Sequence, residues 1–144
     1  MKKVAKTDII KKKQVFLITA IPYMQDIVVV INGQVSDAIK YYKKQKTKNA
    51  DENVKELESS NLYEDRHEIG EDGAQTYTKL PNGYLVVLSH SSNWVKTVST
   101  VSHECLHLTH YILRDAGIIL SEESEEAYTY LQAYLLGNIL RKIF

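Results

Sequence analysis

The decamer VSHECLHLTH, Val101 to His110, sets three histidines and one glutamate within the eight residues from His103 to His110. On an α-helix, residues four apart lie one turn apart on the same face, so His103 and His107 stand side by side. Two imidazoles so placed can share one ion at about 2.0–2.1 Å. Glu104 is rotated by roughly 100° from His103, given 3.6 residues per turn. It then stands beside such an ion, too far round to be a third ligand from that turn. From there it can take a proton from a zinc-activated water and later deliver one to a leaving amine. His103 and His107 are therefore candidate Zn2+ ligands, and Glu104 is the candidate catalytic general base. The competing reading is plain: helix histidines satisfied by neighbours, with Glu104 on the solvated side.

The surroundings support a helix. Ser91, Ser92 or Asn93 can cap it, Gly117 can end it, and Val95, Val98, Val101, Cys105 and Ile112 give an apolar stripe. Upstream, Gln75–Leu80 and Tyr84–Leu88 flank Pro81-Asn82-Gly83, which predicts a β-hairpin. Further upstream, Val15–Ala20 and Asp26–Ile31 are rich in β-branched residues and read as two strands, either a hairpin or one bent strand. Asn32-Gly33 is a turn, and Ser36 can cap a helix with Ala38, Ile39 and Tyr42 on its inner face. That helix runs into KKQKTKNADENVKELESS, a linker or solvated helix; a charged linker is expected at about 44–72. After the connector Ile118-Ile119-Leu120, Ser121 or Ser124 opens a last helix with acidic residues in its first turn. The outline is β-β-α-linker-β-β-α-α. It predicts an α+β fold: a small twisted sheet packed on the HExxH helix and a C-terminal Glu-bearing helix.

Composition narrows the function classes. The chain has 144 residues, which suits a single domain over 14–144 behind a basic tail, residues 1–13. Apolar residues make up 44% and charged residues 25%, a globular balance. Net charge is zero, so nothing in the overall field favours nucleic acid or an anionic membrane. The single cysteine forms no intrachain disulfide and fits a reducing compartment. The basic start followed by QVFLITAIPYM faintly resembles a signal peptide but contains a proline and has no small-residue cleavage pattern. No stretch approaches transmembrane length.

A catalytic zinc site needs a third protein ligand and an open position. His110 shares the face, but its Cα lies about 10.5 Å from that of His103 along the axis, so it reads as a residue supporting a ligand from behind or, more commonly for such a residue, as a surface histidine. The segment SEESEEAYTYLQAYL offers Glu122, Glu123, Glu125 and Glu126, any of which a returning helix can bring alongside. Most of these are ordinary helix-start carboxylates.

HECLH, a connector with Gly117, then EEAYTYL resembles the gluzincin branch of the zincin metallopeptidases. It is similar to their minimal forms: the minigluzincins, the ImmA/IrrE-like peptidases and the small HExxH proteins of tailed phages. The resemblance spans residues 75–140 and implies that Glu126, just before Ala127, is the third metal ligand, with Glu122 as runner-up. Larger gluzincins carry an acidic residue four positions after that Glu; Tyr130 stands there instead. Tyr130 and Tyr134 are candidate donors to a developing oxyanion, though packing is the commoner role for such residues. The resemblance also implies an extended peptide or protein substrate lying along the strand before the active helix, Tyr84–Leu88.

Three functions follow as expectations. The first is a zinc-dependent metallopeptidase. The second is a virion or other structural protein that keeps the zinc site without proteolysis and contacts other virion proteins. The third is a peptidase that cleaves a repressor, with the DNA-binding part supplied by the partner. The expected location is the host cytoplasm or the virion.

Overall fold

The structure, a computed structural model, describes residues 12–59, 74–77, 80–90 and 93–144. β1 (Gln14–Ala20) and β2 (Gln25–Ile31) form an antiparallel hairpin, with Leu17 opposite Val28. Two helices follow, α1 (Val35–Gln45) and α2 (Lys48–Ser59). Next come β3 (Ala74–Tyr77) and β4 (Tyr84–Leu88), then α3 (Trp94–Asp115) and α4 (Glu125–Ile143). β4 lies parallel to β2, and β3 lies antiparallel to β4, so the sheet order is β1-β2-β4-β3. The fold is α+β.

The central strands explain their own sequences. Side chains alternate across a strand. Ile27, Val29 and Ile31 of β2 and Tyr84, Val86 and Leu88 of β4 face one cluster with Val101, Cys105, Leu108 and Ile112 of α3 and Leu131, Leu135 and Ile139 of α4. Val28, Val30, Leu85 and Val87 face a second cluster, with Ala38, Ile39 and Tyr42 of α1 and Ala50, Val54 and Leu57 of α2. A strand covered on both faces reads as an unbroken apolar run, which IVVVI and YLVVL are.

Two helices therefore sit on each face, where the sequence had suggested one layer of two. The difference lies in the charged stretch expected as a linker at about 44–72. Its first part is α2, whose Ala50, Asn53, Val54 and Leu57 recur at helical spacing and are buried. Burying Val54 and Leu57 contributes about 1.5–3 kcal/mol each, enough to seat a helix whose opposite face is charged. Asn53 adds a paired contact: its Nδ2 donates to the Asn82 carbonyl at 2.7 Å, and the Asn82 N–H donates to its Oδ1 at 2.9 Å. Gly83 follows at φ +88°, where a Cβ would come within 2.2 Å of the Asp26 carbonyl oxygen. Residues 60–73, and 1–11 of the basic tail, lie outside the described residues.

The cap of α1 is Gln34 rather than Ser36. The Gln34 N–H donates to Asp37 Oδ2 at 2.9 Å, and Lys13 Nζ donates to Asp37 Oδ1 at 2.9 Å. Burial alone would raise the Asp37 carboxyl, but Lys13 and the Gln34 amide together hold it below its ordinary value. Asn93 caps α3, accepting at Oδ1 from the amides of Val95 and Lys96. α3 ends with Gly117 at φ +79° and with Ile118 N–H donating to the Leu113 carbonyl at 2.8 Å, a left-handed helix stop. Tyr128 then ties the connector to α4 by donating to the Ile118 carbonyl at 2.8 Å. Among the described residues, no helix is long and apolar enough to cross a membrane.

Candidate metal centre

α3 turns Val101, Cys105, Leu108 and Ile112 into the core, which leaves His103, Leu106, His107 and His110 exposed. The capped, 22-residue helix holds the first two histidines in register. Their Nε2 atoms approach to 3.0 Å, with ring centroids 4.7 Å apart and planes at 76°. Two nitrogens sharing a tetrahedral ion at about 2.0–2.1 Å stand about 3.3 Å apart, so the pair fits an ion after a shift of a few tenths of an ångström. Without metal, the same approach is an N–H···N contact in which one ring donates to the other. Ligand atoms of His103, Glu104 and His107 all lie within 4.8 Å of one another, making this the candidate metal group among the described residues.

Glu104 is buried, 6% exposed, and not on a solvated face. Its Oε2 accepts a hydrogen bond from the Thr76 hydroxyl of β3. A carboxylate withdrawn from water needs such a donor, since an unpaired one costs several kcal/mol. Two depressions meet at this side chain. One, about 230 Å³, is lined by Ala74, Thr76, Glu104, His107 and Tyr111; the other, about 340 Å³, by Ala74, Ser99, Thr100, His103 and Glu104. A larger cavity of about 530 Å³ lies on the opposite face of the sheet, among Tyr42, Asn49, Asn53, Asn82 and Asp26. It contains no histidine, so the chemistry follows the smaller depressions.

Cys105 faces the core and lies outside the histidine group. Burial pushes its thiol up to about 12, with the neighbouring Glu104 adding to the shift. His110 stands exposed with its ring 5.7 Å from that of Tyr128, in keeping with a surface role. Glu122, Glu123, Glu125 and Glu126 are all exposed and outside the histidine group. At Glu123, its own backbone amide and the Ser121 hydroxyl hold the carboxyl below its usual value.

Several sequence expectations change here. Tyr84–Leu88 cannot be the rim of a cleft, because β4 is paired on both sides; the edge strand beside the centre is β3. Tyr134 donates its hydroxyl to the Thr19 carbonyl at 3.1 Å, and Tyr130 is 73% exposed, so neither lines the depressions. Tyr111 does line one, stacked on His107 with centroids 6.4 Å apart and with the Arg114 guanidinium over its ring, 4.9 Å from the ring centre. Tyr111 lies eight residues past His103, a spacing that puts it on the same face and could have been read. Thr76 left no such signal, because a contact across 28 residues depends on how the hairpin lies against α3.

Comparisons of the chain with protein-family models, curated proteins and solved structures return no match.

Proposed function

We propose that this protein is a zinc-dependent peptidase. The reading rests on one observation above all: two imidazole nitrogens 3.0 Å apart on one helical turn, with a buried carboxylate between them and an edge strand. His103 and His107 would hold the ion, and the resemblance to gluzincins suggests Glu126 as the third ligand. Bound zinc would supply a Lewis acid that polarises the scissile carbonyl and acidifies a water molecule.

The remaining work falls to the chain itself. Glu104 accepts the proton of the attacking water and returns it to the leaving amine. Thr76 engages Oε2, which leaves Oε1 as the oxygen that takes the proton. The substrate, an extended peptide, adds to the outer edge of β3, where backbone donors and acceptors are unpaired by any described strand. The depressions on either side of Glu104 then receive side chains flanking the cut bond.

A second reading is a non-hydrolytic protein, such as a virion component, that keeps the metal pair. Its support is that no α4 carboxylate joins the histidine group. One experiment separates them. Zinc-loaded wild type and Glu104→Gln are compared on a mixed fluorogenic peptide library. Peptidase chemistry predicts that Glu104→Gln turns over about 10²- to 10⁴-fold more slowly, with its zinc content unchanged. Equal rates in the two proteins would overturn the assignment of the base; a wild type that cleaves nothing favours the second reading.

A further inference from the structure

We infer that Thr76 is a positioning residue, whose hydroxyl fixes the Glu104 carboxylate beside the histidine pair from the edge strand β3. The inference rests on the peptidase reading above.

Three observations carry it. Glu104 is 6% exposed and needs a donor, and the Thr76 hydroxyl supplies one. Thr76 is β-branched, so its χ1 is stiff and the hydroxyl is a firm anchor for a glutamate with three rotatable bonds. The third is topological: Thr76 lies on the four-residue edge strand, paired to Val86 on one side and without a described strand on the other. The same strand that a peptide would extend therefore holds the base.

The arrangement also survives the reaction. An ionised carboxylate only accepts, and a protonated one keeps an acceptor oxygen. Thr76 can donate to Oε2 in both states, so the anchor need not be broken when Oε1 gains and loses its proton. Valine at this position keeps the branched shape and loses the donor. Serine keeps the donor and loses a methyl.

The test uses Thr76→Val, Thr76→Ser, Glu104→Ala and the double variant Thr76→Val/Glu104→Ala. In the zinc-loaded proteins, the peptide library gives kcat and KM. Thr76→Val lowers kcat by about 10- to 100-fold, the loss of one hydrogen bond to a charged group. KM stays within about twofold, and zinc remains bound as in the wild type. Thr76→Ser recovers most of the rate. In the metal-free proteins, urea unfolding closes a double-variant cycle: Thr76→Val lowers the midpoint when Glu104 is present and much less when it is alanine.

Thr76→Val with wild-type kcat overturns the inference, as does an equal midpoint loss in both backgrounds. A rate lost equally in Thr76→Ser also overturns it, because packing rather than the hydroxyl would then be at work. A wild type that binds zinc and cleaves no peptide removes the peptidase reading and the positioning role with it. In that case the metal-free cycle still reports whether the two side chains are joined.

Discussion

Zinc should stabilise the folded chain through His103 and His107, and the size of the effect can be worked out. The unfolded chain has no preformed pair, so binding free energy adds to folding stability. At zinc about 100-fold above its dissociation constant, the gain is about 2.7 kcal/mol. Unfolding entropy near 60 °C is about 2.1 cal/mol/K per residue, or about 0.3 kcal/mol/K for a chain of this length. The quotient is a rise in Tm of about 9 °C, and each further tenfold in zinc adds about 4–5 °C. The assay is thermal unfolding by circular dichroism, with protein stripped by chelator and then titrated with zinc. The Nε2 atoms already stand 3.0 Å apart, so the two imidazoles need little ordering to share the ion. His107→Ala leaves one imidazole and should lose the shift. Loss of the Tyr111 stack also lowers the baseline Tm of that variant, so the comparison is of the rise with zinc and not of Tm itself. If His107→Ala and wild type rise together along the titration, the metal sits elsewhere and the argument from helix spacing fails.

Two further outcomes are expected. If Glu126 completes the site, as the gluzincin resemblance implies, Glu126→Ala weakens zinc binding by more than the roughly 10- to 100-fold that loss of an outer partner costs, while Glu122→Ala leaves it unchanged; isothermal titration measures both, and an unaltered Kd in Glu126→Ala removes that ligand. Asp37, in the first turn of α1, accepts from the Gln34 cap amide with a carboxyl held below its ordinary value, so its stabilisation is fully present above the unfolded carboxylate range near pH 3.9 and fades as pH falls through the lower folded value. Asp37→Asn should cost about 1 kcal/mol at pH 7 and progressively less on acidification, read from urea midpoints at several pH values; a cost that grows as pH falls contradicts the sign.

Local signals made much of this fold legible. The β1–β2 hairpin, the PNG hairpin, the Asn93 cap and the Gly117 stop all depend on residues near one another in the chain. α2 was obscured because its charged face outnumbers Ala50, Val54 and Leu57, and net polarity hid the spacing. The HExxH pair was legible because a helix converts a spacing of four directly into proximity. The strand order was not. Nothing local states that β4 pairs with β2 as well as β3, and that pairing moves the open edge from Tyr84–Leu88 to Ala74–Tyr77. Thr76 carries no local signal for the same reason, since its partner is set by tertiary packing.

If the histidines hold an ion, the α3–α4 pair governs what completes its coordination. Two helices joined by the nine-residue connector 116–124 and packed on one core return antiparallel. The contact of His110 with Tyr128 sets which levels face each other. His107 lies three residues from it along α3, and Glu126 lies two residues from it along α4, in the opposite direction. At 1.5 Å per residue that is an axial offset of about 7–8 Å. Side chains on a helix lean toward its N-terminus, which for Glu126 is away from the histidines. A Glu126 carboxylate at the metal therefore requires α4 to slide or its first turn to open, and that rearrangement draws on the free energy of binding. A pair of imidazoles alone avoids the cost but makes fewer bonds to the ion. If Glu126 does complete a zinc site, zinc affinity would report helix register: contacts that seat α4, such as the hydroxyl of Tyr128 on the Ile118 carbonyl, would act on the metal without touching it.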